Sequence, residues 1–472
     1  MSVPRPSRAP GPRRDLTQGP IAATLFWFSL PIVLQMSIQP LYGMIDRIFI
    51  GHISKEALAA VTLAGVLQFL IIGLGAALGN GATSYIARLT GAGDEKEADN
   101  AAQHALLLML LCMGLILAMV PFDRWIFQTL GADEVMLPIA LRYIRILLYG
   151  NAAILFNMVG ANILRGEGNS RTPLTIAVVT VLFNLVLAPP LIFGRNEEVF
   201  WGLKLGWFGL DVFGAALASL IVRILGCLML LAYVGQGQSV WTLSWENFRW
   251  RPRHFFEILR ISAPMLAVNF MSLTVIMVFM RVLTRFGAAA VAVYGVGAQL
   301  DTLAVLPMIG LMIGVIGMVG QNFGAGRLDR VKRTVWVAGL ITAGFSGLFG
   351  LIFILAPNFW IGLFNHDPEI LALGRNYLYI VSGTYVPVGI GFVIGGVFQG
   401  LGKGLPWLWI TAIRFLGVSI PLALILSHYF GANGAWVAIA SAHVVAGILS
   451  ALWILREFRQ PHFLPSAQQV RA

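Results

Sequence analysis

Apolar residues run through this chain in long unbroken stretches rather than in the alternation of a half-buried strand. Runs of about 20 such residues, each enough to cross roughly 30 Å of hydrocarbon, fall near 21–50, 57–80, 102–121, 136–160, 173–193 and 209–233. They return near 254–283, 290–318, 334–356, 375–398, 406–427 and 433–455. Backbone polar groups cannot be left unpaired in lipid, so runs of this length predict helices. The expected fold is all-α and polytopic, with twelve transmembrane helices in two pseudo-symmetric six-helix bundles.

The second six repeat the first. At one constant offset Ser29 and Pro31 recur as Ser262 and Pro264, Ala57 and Ala59 as Ala290 and Ala292, Gly81 as Gly314, and Gly91-Ala92-Gly93 as Gly324-Ala325-Gly326. Farther on, Leu164-Arg165-Gly166-Glu167-Gly168 is echoed by Phe398-Gln399-Gly400-Leu401-Gly402, and Gly214-Ala215 with Ala218 by Gly434-Ala435 with Ala438. Small residues at such positions let helix backbones approach closely and let connecting turns bend tightly. Internal duplication of apolar segments is a device by which transporters build two bundles around a site. The predicted division is a basic tail over 1–16, a first lobe over 17–233, a linker over 234–253, a second lobe over 254–456 and a tail over 457–472.

Composition agrees with a membrane protein. Hydrophobic residues make up 58% of the 472 and charged residues 11%, against about 25% charged in soluble domains. The net charge of +11 lies in short clusters between apolar runs and forms no stripe for nucleic acid, so no nucleic-acid partner is expected. One set of connections carries most Lys and Arg, while the opposite set holds Lys55, Arg124, Arg195, Lys204, Arg285 and Arg375. That bias predicts two cytoplasmic termini and, with six helices per half, the same orientation for both halves. The apolar run after the basic tail is too long for a signal-peptide core and predicts a retained first helix. Cys112 and Cys227 both fall inside apolar runs and imply no disulfide framework. The linker, with Trp241, Trp245 and Trp250 among arginines, predicts a segment lying at the lipid headgroups.

Asp46 and Asp301 are the acids placed well inside predicted helices. A carboxylate in hydrocarbon costs about 2.5 to 3.5 kcal/mol on insertion scales and marks a functional site by default. Proton and organic cation can compete for one such group, which is the exchange logic of an antiporter. Asp46 sits about 22 Å along the helix from Pro31, and Tyr42, four residues earlier, shares its face. Asp301 is not the repeat-mate of Asp46; that position is Phe279. A salt bridge to Arg281 or Arg414 is the structural alternative for Asp301. His443 reads as a packing histidine or a titrating one, and Arg142, Arg145 and Arg223 as snorkelling or paired side chains. No metal-ligand cluster, P-loop or nucleophile elbow occurs, so neither an enzyme nor a bound metal is expected.

Several segments together resemble the bacterial branch of the MATE (multidrug and toxic compound extrusion) family. They are Pro31 followed by Tyr42-Gly43-Met44-Ile45-Asp46, Ala57-Leu58-Ala59-Ala60, Gly91-Ala92-Gly93, Gln299-Leu300-Asp301, and Val319-Gly320-Gln321-Asn322-Phe323-Gly324-Ala325-Gly326. The resemblance implies export of cationic or amphipathic compounds against inward H+ or Na+, with no other cofactor. It also implies an ion and substrate site in the first lobe: an Asp on the first helix, an Asn and an Asp four apart on the fifth, and a Thr on the sixth. Asp46 and Asn184 match, Ser219 keeps the hydroxyl, and Ala188 replaces the second carboxylate. A Na+ site wants several hard oxygens with compensating charge, so this loss favours H+.

The resulting expectation is a bacterial inner-membrane antiporter, multi-pass and monomeric, in contact with membrane lipid, that works by alternating access. Asp46, Asn184 and Ser219 are its ion-coupling candidates, Tyr42, Asp46 and Asp301 its substrate-binding candidates, and Pro31 its bend. The alternative is a lipid-linked oligosaccharide flippase of related architecture, which needs a large cavity lined by several cationic residues.

Overall fold

The computed structural model describes residues 14–51, 54–129, 134, 136–194, 207–242, 248–460 and 463. Within its helices the side chains of 39–42, 44–48, 55–56, 58–59 and 66 lie outside the description. Tyr42, Asp46 and most of both tails are therefore beyond what it describes.

The long apolar runs are helices. The first half contains α1 (Ile21–Gly51), α2 (Lys55–Gly91), α3 (Glu95–Leu117), α4 (Asp123–Thr129), α5 (Met136–Tyr149), α6 (Asn151–Gly166), α7 (Arg171–Ile192) and α8 (Asp211–Gly235). The second contains α9 (Pro252–Leu283), α10 (Ala288–Gly324), α11 (Leu328–Leu355), α12 (Pro357–Gly362), α13 (Pro368–Val381), α14 (Tyr385–Gly400), α15 (Leu405–Ala412), α16 (Ile420–Phe430) and α17 (Ala432–Glu457). A π-helical stretch, Ile413–Ser419, joins α15 to α16. Among the described residues 11 helical segments are long and apolar enough to span a membrane, and α5 with α6, bent by 48°, can supply a twelfth. The protein is a multi-pass membrane protein with the expected fold.

The chain forms two compact units, one over residues 34–259 with the N-terminal 1–14, the other over 15–33 and 260–472. The head of α1 therefore groups with the second unit. Residues just before it are clasped there: Gln321 Oε1 accepts from Leu16 N at 3.2 Å, and Asn322 Nδ2 donates to the Leu16 carbonyl at 3.0 Å. Arg327 donates to the Thr17 carbonyl and Arg330 to those of Gly19 and Gln18. These contacts pair backbone groups of the lead-in to α1, which lies outside the helical hydrogen-bond ladder.

The duplication is written into the backbone. Gly93 and its repeat-mate Gly326 adopt φ of +75° and +70° after α2 and α10, a conformation glycine reaches without steric cost. The following N–H groups of Asp94 and Arg327 turn back onto the carbonyls of Leu89 and Asn322. Gly214 and Gly434 also act as mates. A Cβ on either would collide with a backbone carbonyl, that of Leu191 or of Leu426, so glycine permits the contacts of α8 with α7 and of α17 with α16.

The linker departs from expectation at Trp241, which is only 1% exposed within the first unit. Glu167 explains this: its Oε1 accepts from Ser239 Oγ at 2.6 Å and from Trp241 N at 3.1 Å, while Asp99 takes both the amide and the hydroxyl of Thr242. Two acids thus draw the segment inward, and Trp250 alone of the three tryptophans is seen exposed. Trp245 lies outside the described residues.

Candidate functional site

In the first unit, Asn184 on α7 and Ser219 on α8 are both about 1% exposed, on helices packed along each other. Ala188, one turn beyond Asn184, is fully buried in the apolar core. The side chain of Asp46 is not described, so the geometry of this trio is not defined. Pro31 is buried in the part of α1 that groups with the second unit. A polar residue the sequence did not single out, Asn157 on α6, donates through Nδ2 to the carbonyls of Ala153 and Arg223 and to Cys227 Sγ. Gly226 leaves space for that amide. The arginines divide as their surroundings dictate: Arg145 pairs with Asp123 at 2.6 Å and Arg142 lies over the Phe213 ring.

The second unit holds a cluster around Asp301, in the first half of α10. Oδ2 of Asp301 accepts the hydroxyl of Tyr377 at 2.5 Å and Oδ1 that of Tyr385 at 2.6 Å. Tyr377 lies one turn before the end of α13 and Tyr385 begins α14, and both hydroxyls reach one carboxylate. No ion pair to Arg281 or Arg414 forms among the described residues. Arg414, on the π-helical stretch, is near enough for its charge to interact with Asp301 and with His443. His443 is buried and its Nδ1 meets Thr384 Oγ1 at 2.9 Å.

Aromatic rings wall the cluster. Trp436 packs edge-on to Tyr377 with centroids 4.9 Å apart and stacks on Tyr294, which in turn stacks on Phe279. Phe353 lies edge-on to Tyr385. The Trp436 indole N–H is buried with no hydrogen-bond acceptor among the described residues. A carboxylate inside an aromatic wall can hold an organic cation by charge and by cation–π attraction. The sequence singles out Asp301, Arg414 and His443 but neither tyrosine, since phenols at 377, 379 and 385 carry no mark of what they will meet.

Comparison with known proteins resolves the family. The MatE family model matches residues 31–189 and 264–425, once in each half of the duplication and over more than half of the chain. The chain belongs to the MATE family. Relatives of this MATE protein include the probable multidrug resistance protein NorM of Thermotoga maritima, 27% identical over 447 residues and 92% of each chain. The FAD transporter of Shewanella oneidensis is 25% identical over 443 residues, covering 92% of this chain and 95% of its own. A solved MATE structure in the straight conformation superposes with a TM-score of 0.87 at 27% identity, over 95% of this chain and 98% of the other. The family consists of transporters, and this member is not an enzyme.

Proposed function

We propose that this MATE protein exports amphipathic small molecules, organic cations among them, from the bacterial cytoplasm across the inner membrane in exchange for an inward ion. The observation that carries the reading is Asp301, an intramembrane carboxylate whose two oxygens meet two tyrosine hydroxyls inside an aromatic wall. The names of two relatives, the probable multidrug resistance protein of Thermotoga maritima and a multidrug export protein of Staphylococcus aureus, support the same class. Asp46, Asn184 and Ser219 are the coupling group in the first unit, with Tyr42 beside Asp46 for substrate. Pro31, which lacks an N–H, is the point where α1 bends. With Ala188 where the family has a second acid, H+ is the coupling ion in preference to Na+. The two halves alternate access as a monomer in the lipid, both termini facing the cytoplasm.

A flippase for lipid-linked oligosaccharide would need several free cationic groups facing one cavity. Of Arg142, Arg145 and Arg223 in the first unit, two are already engaged, Arg145 by Asp123 and Arg142 over Phe213, which favours the drug exporter. Arg223 keeps one buried nitrogen without a partner among the described residues. The test is transport in liposomes containing the purified protein, with a cationic dye driven by a pH jump or by a Na+ jump. Wild type should respond to the pH jump, Asp46→Asn should lose coupling, and Asp301→Asn should lose dye binding. Gradient-driven transport that survives both substitutions unchanged overturns the reading.

A further inference from the structure

Arg414 is the unexplained residue of the second unit. It stands ten residues into the span Leu405–Phe430 and is half-buried. A guanidinium offers five N–H donors and keeps its charge at every physiological pH. A cation within a span is costly in hydrocarbon and by default faces a partner or a cavity. Yet among the described residues Arg414 makes no hydrogen bond and no ion pair. Its one direct partner is the ring of Phe415, 4.9 Å away.

The expected counter-charge is close but not bonded to it. Asp301 interacts with Arg414 through space and accepts the hydroxyls of Tyr377 and Tyr385, and among the described residues no hydrogen bond or ion pair joins it to Arg414. His443, the other polar neighbour, turns its Nδ1 to Thr384. The backbone that carries Arg414 is also unusual. Pro421 has no N–H and its ring crowds the preceding turn, and the helix widens before it, the N–H of Ile420 reaching back to the Phe415 carbonyl. Such π-helical turns are frequent at functional sites.

We infer that Arg414 is the anion-binding pole of the second-unit site, so that the preferred substrates are amphipathic zwitterions carrying a carboxylate or phosphate as well as a cationic group. The cationic end lies against Asp301 and the aromatic wall, and the anionic end takes the forked donors of Arg414, a geometry that guanidinium and carboxylate share. This rests on the proposal that the Asp301 cluster holds substrate, and it adds a sign preference that a lone carboxylate would not give.

The test uses a dye pair that differs in one charge: tetramethylrhodamine, a zwitterion with a free carboxylate, and its methyl ester, a cation. Binding of each to the purified full-length protein is read by fluorescence anisotropy. Wild type should favour the free acid by about tenfold or more, the usual size of a charge-assisted hydrogen bond. Arg414→Gln should bring the ratio of the two affinities towards one, and Arg414→Lys, which keeps the charge but loses the fork, should fall between. Wild type binding the ester as tightly as the acid overturns the inference, even if the Arg414 variants fail to fold. So does a ratio unchanged in Arg414→Gln. Asp301→Asn separates the two ideas. If it weakens both dyes while Arg414→Gln leaves the ratio alone, only the anion pole is wrong. If it weakens neither, the substrate site itself is misassigned.

Discussion

The hydroxyl of Tyr385 lies 2.6 Å from Oδ1 of Asp301, across 84 residues of chain, and Tyr377 caps the other oxygen at 2.5 Å. A carboxylate buried in a membrane bundle would otherwise face hydrocarbon with open lone pairs. The two phenols satisfy it without neutralising it, so it remains available to a cation. In an exchanger this is a useful state, because an acid locked to a permanent basic partner would have no reason to release it.

Tyr385→Phe should therefore leave one oxygen of Asp301 unpaired and destabilise the second unit by about 1–3 kcal/mol. The thermal midpoint of the purified protein should fall, and cationic-dye affinity should change with it. A variant with the stability and affinity of wild type would show that the hydroxyl bond contributes nothing.

Ala188 is fully buried one turn beyond Asn184. Placing a carboxylate there with Ala188→Asp adds a hard oxygen and a negative charge where the family pattern has one, and should raise the response of transport to a Na+ jump relative to a pH jump. Unchanged ion dependence would count against the argument that the missing acid sets the coupling ion.

Asn322 holds the segment before α1 by donating to the Leu16 carbonyl, and its Oδ1 accepts from Arg330 Nε at 3.0 Å. Asn322→Ala removes both and leaves buried backbone groups open, so a loss of about 1–3 kcal/mol is expected. Hydrogen exchange of residues 15–19 should quicken more than that of α17. Equal protection of residues 15–19 in wild type and Asn322→Ala would mean that the clasp adds no stability.

Gly214 meets the Leu191 carbonyl so closely that a side chain has nowhere to go. Gly214→Val should push α8 off α7 and lower the folded yield sharply, at a cost of about 1–3 kcal/mol or more, whereas Gly235→Val, at a glycine with open space, should be mild. The comparison is read as monodisperse protein recovered from equal membrane, and similar yields would refute the close-approach account.

Much was legible in one dimension. The length of each apolar run fixes what can cross a bilayer, and a repeat is visible wherever identical residues recur at one offset, so the twelve spans, the duplication and the mates Gly93 with Gly326 and Gly214 with Gly434 were accessible from sequence. An intramembrane acid is conspicuous because burial of charge is costly, which is why Asp301 stood out. Trp241 was not legible as a core residue, because its burial depends on Glu167, 74 residues away.

The sequence by itself determined the class of molecule: how many helices, how they repeat, and which ionisable groups lie within them. Only the tertiary structure decided what those groups meet. Hydrophobic length is a property of a segment, whereas a hydrogen-bond partner is a property of two segments brought together. Tyr377 and Tyr385, rather than an arginine, hydrogen-bond Asp301 because the packing of α13 and α14 delivers both hydroxyls to α10.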